Sequence, residues 1–341
     1  MISQIGLNDK LITWFNVELT LVHVGLSIMF ITLIPLLLAR LGRDAKAVNN
    51  DVLDISVGLR REMSKSSSNT LSISAIKDDR VIHPINFKQF RVVERTQESY
   101  NTVRITLHIP DGRDLGLKIG RHISVKADIE GSKVIRAYTP VSKIDQKGSF
   151  EILVKRYDYG KLSNHIWNLK KGDFLEIRGP VGRYQWEKNA YPMIGLIAAG
   201  SGLTPCLQLI RSSLESPIAH EDSTKFVLFY QNRTEEDILM RSLLEELASK
   251  YPERLTIVFF ISKLKGSRDT WSDTHDVSLE SLTRGQPGHV AGYINENWIR
   301  EVLHFNKCPH VCVCGPSGFN DAMKDLLCDQ GHDAAGSVFI W

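Results

Sequence analysis

The segment MIGLIAAGSGLTPCLQLIRSSL, residues 193–214, decides the fold of the second half of the chain. Its first seven residues predict a buried strand, and the apolar run after the Gly200-Ser201-Gly202 turn predicts a helix. Glycines let backbone approach a ligand and a helix N-terminus favours phosphate, so the turn is typical of a dinucleotide loop. Thr204 is expected to cap the helix and Pro205 to take its first position. Because Pro205 replaces the usual third glycine, a plain strand-to-helix turn is the alternative.

Strand and helix patterns continue to alternate after this segment. KFVLFYQN (225–232), TEEDILMRSLLEELASKY (234–251) and LTIVFFIS (255–262) follow, and near the end HVCVC (310–314) leads through Cys314-Gly315-Pro316 into a helix from about Asn320. This order predicts an α/β domain, residues 189–341, with a parallel sheet and right-handed crossovers.

Residues 86–188 carry short β-rich runs separated by glycine turns, which predict an antiparallel β-barrel domain. A guanidinium such as that of Arg136 can bind phosphate oxygens, and Tyr138 offers a flat ring with a hydroxyl. Gly160-Lys161-Leu162-Ser163 starts a helix, where Ser163 could cap the turn and the amides would suit a pyrophosphate. An ordinary strand end with a surface arginine is the alternative for Arg136 and Tyr138.

A membrane anchor is predicted at the front, in residues 1–43. Residues 19–38, LTLVHVGLSIMFITLIPLLL, are twenty residues without formal charge, and at about 1.5 Å per residue they span roughly 30 Å, a bilayer core. Arg40, Arg43 and Lys46 follow the span, which places the bulk of the chain in the cytosol. A cleaved signal peptide and a buried core helix are the alternatives. The polar, serine-rich residues 44–85 predict a linker.

Composition restricts the other possibilities. A net charge of +3 over 341 residues, without a basic stripe, argues against nucleic-acid binding. The five cysteines are an odd, clustered set, which favours a reducing, cytosol-facing compartment. We expect no metal site, because no second Cys or His pair stands at ligand spacing; Cys206, Cys308, Cys312 and Cys328 are expected to be inert buried or half-buried thiols.

Three segments of the first half together resemble the FAD domain of the cytochrome b5 reductase family. They are GRHISVKADIEGSKVIRAYTP (120–140), VKRYDYGKLSNHI (154–166) and EIRGPVG (176–182). The resemblance implies that the R-x-Y-[ST] and G-K-[LM]-S motifs bind FAD and its pyrophosphate, through Arg136, Ala137, Tyr138, Thr139, Gly160, Lys161, Leu162 and Ser163. Lys155 resembles the family's NADH-contacting lysine, and Tyr157 of the same VK-x-Y pattern is counted with the cofactor residues. Tyr159 stands where many members of the family have a second glycine before Gly160.

The second half resembles the NAD domain of the same family. The motif G-[ST]-G-[ILF]-T-P is matched at every place, which implies cofactor contacts for Gly200, Ser201, Gly202, Thr204 and Pro205. Asp237 stands where the family has an acid near the adenosine ribose, which favours NADH over NADPH; stabilisation of its own helical turn is the alternative. Gly315 and Pro316 are implied to shape the nicotinamide loop. The resemblance assigns the hydride-transfer site to Cys314 and Thr139, with Cys314 positioning the ring. Ser317 and Gly318 stand where the family commonly has prolines, and Trp341 stands where it commonly ends in phenylalanine.

The resemblance covers residues 87–341 and implies a flavoprotein enzyme in which NADH reduces FAD, and FAD reduces a heme protein such as cytochrome b5. It also implies a single-pass protein of the endoplasmic reticulum or outer mitochondrial membrane. Two alternatives remain at this stage: a reductase of quinones, ferric chelates or other small acceptors, and a membrane scaffold with an inactive flavin fold.

Overall fold

The computed structural model describes residues 79–216, 219–263, 272–273 and 285–341. The residues described from Asp79 onward form one compact unit. The predicted anchor (1–43), its apolar span (19–38) and most of the linker (44–85) lie outside the described residues. Within the described ranges, no helix has the length and apolarity needed to cross a bilayer.

The first half of the compact unit is a six-stranded antiparallel sheet in the order β4-β3-β6-β1-β2-β5. Its strands are β1 (Lys88–Ser99), β2 (Thr102–His108), β3 (His122–Ile129), β4 (Ser132–Tyr138), β5 (Ser149–Lys155) and β6 (Phe174–Val181). In β2 the side chains of Val103, Ile105 and Leu107 are fully buried, whereas the residues between them are partly exposed. This alternation with period two turns one face of the sheet into a core.

The predicted barrel is confirmed in its antiparallel strands but not in its closure. No strand pair joins the edges β4 and β5 within the described residues. Helix α1 (Lys161–Trp167) instead contacts β3, β4 and β5, and it buries Leu162 and Ile166 in the core of the sheet. A seven-residue helix is not stable alone in water, so this packing is what holds the start of α1 in place.

The second half is an α/β layer whose sheet is parallel throughout, as predicted. Its elements are β7 (Met193–Ala199), α2 (Leu203–Glu215), β8 (Lys225–Asn232), α3 (Arg241–Lys250), β9 (Leu255–Ile261), β10 (Ser272–Asp273), β11 (Gly288–Ala291), α4 (Glu296–Val302), β12 (His310–Cys314), α5 (Ser317–Asp329) and β13 (Val338–Ile340). Helix α5 begins three residues before the predicted Asn320.

The strand order β10-β11-β9-β8-β7-β12-β13 contains a reversal that locates the site. The chain starts at β7, proceeds outward through β8 and β9, and later returns to the other side of β7 as β12. The connections after β7 and β12 therefore diverge and leave a crevice at the carboxyl ends of these two strands. Ligands of open α/β sheets bind in such a crevice.

The two halves are joined by hydrogen bonds from helix α2. Gln208 accepts from the Gly120 amide at 2.8 Å and donates to the Arg121 carbonyl at 3.1 Å. Arg211 donates to the Val141 carbonyl at 2.6 Å. Because Gln208 is almost fully buried, these bonds fix a loop of the first sheet against the second sheet.

The compact unit includes the end of the stretch predicted as linker. Ile82 is 2% exposed in the core of the first sheet, and the His83 carbonyl accepts from the Gly179 amide at 2.9 Å. Packing has therefore begun by Ile82, before the predicted boundary at residue 86. The boundary between the two predicted domains, at residues 188 and 189, stays a prediction.

The last strand is half-buried beside the end of the first sheet. Phe339 packs edge-on against Tyr184 with centroids 4.8 Å apart, and Trp341 lies 5.7 Å from the same ring. Phe339 and Ile340 keep partial exposure because β13 lies at the edge of the described sheet.

The cysteines differ in exposure. Cys206, Cys308 and Cys312 are buried, as predicted, and Cys314 is partly buried. Cys328 is exposed on helix α5, which corrects the expectation of a buried or half-buried thiol.

Candidate active site at the switch point

The turn after β7 and the loop after β12 touch each other. Gly200 has a positive φ of 52°, and its carbonyl accepts from the Tyr230 hydroxyl at 2.9 Å. A Cβ placed on Gly202 would lie 2.0 Å from the Cys314 carbonyl oxygen and 3.0 Å from the Gly315 nitrogen. Backbone atoms cannot move aside as the flexible end of a side chain can, so position 202 has room only for glycine. The two loops are thereby held at contact distance.

Helix α2 begins at Leu203, two residues before the predicted first position at Pro205. The Gly200–Gly202 turn runs directly into the helix at Leu203, so Gly202 is the N-cap and no side chain caps the amides. Thr204 lies inside the first turn and donates to the Ser201 carbonyl at 3.3 Å, and Pro205 takes the third position. The predicted cap at Thr204 is therefore wrong, and the amides at this helix start have no side-chain acceptor.

Strand β4 carries the first group of predicted flavin residues. Arg136 and Ala137 are exposed, Tyr138 is half-buried and Thr139 is buried. The Arg136 guanidinium donates to the carbonyl of its neighbour Ile135 at 2.8 Å. Burial raises the pKa of Tyr138 to about 12, so its hydroxyl is protonated at neutral pH and can donate a hydrogen bond.

The second group lies at the start of α1. Gly160 is the N-cap, so the predicted cap Ser163 lies in the first turn instead. Its hydroxyl donates to the Gly160 carbonyl at 2.9 Å and accepts from the Tyr157 amide at 3.3 Å. The Tyr157 hydroxyl lies 3.2 Å from the Ser201 hydroxyl, which joins this turn to the loop after β7.

Every residue predicted for the site lines one cavity. These residues come from β4, β5, α1, both glycine loops and the turn after β8; they are Arg136, Ala137, Tyr138, Thr139, Lys155, Tyr157, Gly160, Lys161, Leu162, Ser163, Gly200, Ser201, Gly202, Thr204, Pro205, Asp237, Cys314, Gly315 and Pro316. The cavity measures about 1920 Å³. Sites for single small ligands run to about 1,000 Å³. The volume thus fits two extended ligands that meet between the sheets.

Asp237 has a different environment from the one predicted for a ribose-binding acid. One oxygen accepts from the Tyr100 hydroxyl at 2.9 Å and from the Lys155 ammonium at 3.0 Å. The other accepts from the amide and hydroxyl of Thr234, which forms a capping box. The side chain is only 4% exposed. Its ribose contact stays a prediction, whereas the alternative, stabilisation of its own turn, is what the geometry displays.

The charge state of Asp237 follows from these partners. Burial by itself raises the pKa of the carboxyl group, but the hydrogen bonds from Lys155 and Tyr100, the positive charge of Lys155 and the bond from Thr234 lower it below its ordinary value. The group is therefore an anion at neutral pH, and it holds Lys155 and Tyr100 of the first sheet against the second sheet.

Cys314 has the environment of a neutral contact residue. Burial raises the pKa of its thiol to about 12. A thiol that is protonated at neutral pH is a poor nucleophile, since the thiolate is the reactive form. The side chain can therefore touch a ligand without reacting with it.

Several lining residues were missed by the sequence reasoning. Among them are Tyr100, Ser262, Lys263 and Tyr293, of which Ser262 and Lys263 follow directly on β9. The signal was present for this pair, because residues just after a parallel strand lie at the ligand-binding edge of the sheet. Tyr100 could not be found in this way, since it comes from a turn in the other sheet.

Comparison with known proteins agrees with the fold and the motifs. Residues 89–186 match the family model described as Oxidoreductase FAD-binding domain, and residues 196–325 match Oxidoreductase NAD-binding domain. NADH-cytochrome b5 reductase 1 of Lodderomyces elongisporus is 36% identical over 257 residues, which are 75% of this chain and 78% of that protein. The Laccaria bicolor protein of the same name is 35% identical, with 72% and 74% covered.

A solved structure is similar over the same region. The cytochrome b5 reductase domain of Ulva prolifera nitrate reductase superposes with a TM-score of 0.66 at 25% identity, covering 77% of this chain and all of that one. Fold, cavity and matching domains define an oxidoreductase whose cofactors are FAD and NADH. Within that class, the chain belongs to the NADH-cytochrome b5 reductase family.

The residues present fit two dinucleotides. The backbone at Gly200 borders open space, since a Cβ there would meet nothing within 4 Å. The buried Asn232, also in the cavity lining, has a side-chain oxygen without a hydrogen-bond partner. Together with the uncapped amides of α2, this gives open backbone for phosphate and an acceptor for a hydroxyl.

We predict that Gly202→Ala separates the two loops. The added methyl would overlap the Cys314 carbonyl, and such overpacking costs about 1–3 kcal/mol of unfolding free energy. Urea-induced unfolding measures the loss, and the rate of flavin reduction by NADH should fall with it. The matched control is Gly318→Ala, where a Cβ meets nothing within 4 Å. Equal effects of the two substitutions would contradict the packing argument.

Proposed function

We propose that this enzyme oxidises NADH in the switch-point cavity and passes the electrons through FAD to a heme protein such as cytochrome b5. The observation that carries the proposal is the meeting of both predicted motif sets in one cavity. The names of the relatives, NADH-cytochrome b5 reductase, support the choice of acceptor.

The FAD side of the cavity is assigned to β4 and α1. Arg136 would bind phosphate oxygens with its exposed guanidinium, and Tyr138 would offer its ring to the flavin and its protonated hydroxyl as a donor to the ribityl chain. Thr139 would supply a small hydroxyl to the same cofactor. The turn at Gly160–Ser163 presents backbone amides to the pyrophosphate, with Ser163 closing the turn.

The NADH side is assigned to the two glycine loops. The amides at the start of α2 receive the phosphates, because no side chain competes for them. Gly315 and Pro316 shape the wall for the nicotinamide, and the neutral thiol of Cys314 sets its position. Bound FAD supplies the conversion of a two-electron hydride into single electrons. The residues contribute proximity and alignment, which hydride transfer needs more than an acid or base.

We further propose that residues 19–38 anchor the enzyme in a membrane with its catalytic unit in the cytosol. The support is the uncharged apolar span followed by Arg40, Arg43 and Lys46. Deletion of residues 1–43 should release the enzyme into the soluble fraction after centrifugation of lysed cells, with NADH oxidation retained. A truncated enzyme that still sediments with membranes would refute the anchor.

Arg136→Ala tests the flavin assignment. Loss of a charge-assisted contact with phosphate costs about 1.5–3 kcal/mol, so the Kd for FAD should rise about ten- to a hundredfold. Fluorescence titration of the apoprotein with FAD measures this change. Lys133→Ala is the matched control, since Lys133 is an exposed cation of the same strand outside the cavity lining. Unchanged FAD affinity in the Arg136 variant would reject its role.

Stopped-flow spectroscopy tests the acceptor. The full chain, purified in detergent with FAD, should lose its flavin absorbance on mixing with NADH. The reduced enzyme should then reduce purified cytochrome b5 with a kcat/KM about tenfold or more above those for a soluble quinone and ferric citrate, as expected of a specific site. A preference for quinone or ferric citrate would replace the heme protein by a small acceptor. Absence of flavin bleaching would reject the reductase reaction itself.

A further inference from the structure

A tryptophan at the end of helix α1 makes cation–π contacts with two arginines. The guanidinium of Arg95, in β1, lies 5.2 Å from the centre of the Trp167 ring, and that of Arg156, directly after β5, lies 5.4 Å from it. The attraction between a cation and the face of an aromatic ring acts within about 6 Å, and tryptophan is the best ring for it. These two contacts hold the end of α1 against two different strands of the first sheet.

Arg95 binds the main chain of the same residue as well as its ring. The Arg95 Nε atom donates to the Trp167 carbonyl at 3.2 Å. Carbonyls in the last turn of a helix have no partner inside the helix, and a positive charge near them is favourable. The Trp167 ring is also partly buried against the apolar core of the first sheet. The end of α1 is therefore fixed by packing, by a hydrogen bond and by two cations.

Arg156 connects this end of α1 with the turn before the helix. Its Nε atom donates to the Asn164 side-chain oxygen at 2.8 Å. Because a guanidinium can only donate, the Asn164 oxygen must face Arg156, and the amide nitrogen then faces the turn. That nitrogen donates to the Tyr157 carbonyl at 2.8 Å and to the Gly160 carbonyl at 3.0 Å. The conformation of the turn thus depends on where Arg156 lies.

The turn held in this way borders the cavity, whereas the ring that holds it does not. The residues of the turn and the start of α1 that line the cavity are Tyr157, Asp158, Tyr159, Gly160, Lys161, Leu162 and Ser163. Trp167 and Arg95 lie outside the cavity lining. A helix of seven residues is not stable by itself in water, so its position depends on contacts of this kind.

We propose that Trp167, through its contacts with Arg95 and Arg156, is a positioning residue for FAD. The inference rests on the proposed function, which assigns residues 160–163 to the FAD pyrophosphate, and it names the side chains that hold them in place. Trp167 acts through Arg156 and Asn164, without contact with the cofactor. In its absence the turn would adopt other conformations in the apoprotein, and FAD would have to order it on binding, which weakens the affinity.

Substitution of the ring tests the proposal. Trp167→Leu should raise the Kd for FAD about tenfold, which corresponds to about 1.4 kcal/mol. The Kd for riboflavin should stay unchanged, because riboflavin has no phosphate and does not use the turn. Trp167→Phe keeps an aromatic face for the two arginines and should restore most of the affinity for FAD. Fluorescence titration of the apoprotein measures both ligands.

A second tryptophan supplies the matched control. Trp186 is also partly buried, but it stacks on Phe226 of β8 with ring centroids 6.0 Å apart and lies outside the cavity lining. Trp186→Leu should therefore leave the ratio of the two Kd values unchanged, even where it lowers the stability of the fold. The proposal is overturned if Trp167→Leu raises the Kd for FAD and for riboflavin equally, or raises neither.

A double-mutant cycle tests whether Arg95 acts through the ring. Arg95→Gln should raise the Kd for FAD by a smaller factor, about threefold, since one of the two cation–π contacts remains. In the double variant with Trp167→Leu the rise should stay close to the tenfold of Trp167→Leu alone, because the pair no longer exists. A rise equal to the product of the two single effects would mean that the residues act independently, and it would refute the coupling.

Amide hydrogen exchange reads the same segment without any cofactor. In the Trp167→Leu apoprotein, peptides from residues 157–167 should exchange faster than in the unsubstituted apoprotein, whereas those from β2 should not change. If the unsubstituted chain binds no FAD, the proposed function fails, and this comparison still decides the role of Trp167. If both proteins bind FAD equally, the proposed function stands and the inference falls. Unchanged exchange in residues 157–167 would also overturn it.

Discussion

The contact between Gly202 and the Cys314 carbonyl is the constraint on which the active site depends. It brings the turn after β7 within contact distance of the loop after β12, which only a residue without a Cβ allows. The strand order opens the crevice, but this contact sets how near the two glycine loops come to each other. A wider separation would move Cys314 away from the turn proposed to bind phosphate, and hydride transfer tolerates little misplacement.

A second constraint holds the two sheets in fixed positions on either side of the cavity. Gln208 of helix α2 forms hydrogen bonds with a loop of the antiparallel sheet, and Asp237 accepts hydrogen bonds from Lys155 and Tyr100. The side chains of Gln208 and Asp237 have little exposure to water, so breaking these contacts would leave a buried amide without partners and a buried charge. The cavity therefore has walls from two sheets that are fixed by directional bonds as well as by apolar packing.

The sequence by itself determined the two halves of the fold and the membership of the site. Strand periodicity and the two glycine turns are local patterns, and every residue that the sequence assigned to the site lines the cavity. Only the tertiary structure decided the helix starts at Leu203 and Lys161, the packing of α1 on the first sheet, and the partners of Asp237. Tyr100 and Asp237 are 137 positions apart in the chain, and their meeting depends on how two sheets pack, which no local pattern encodes.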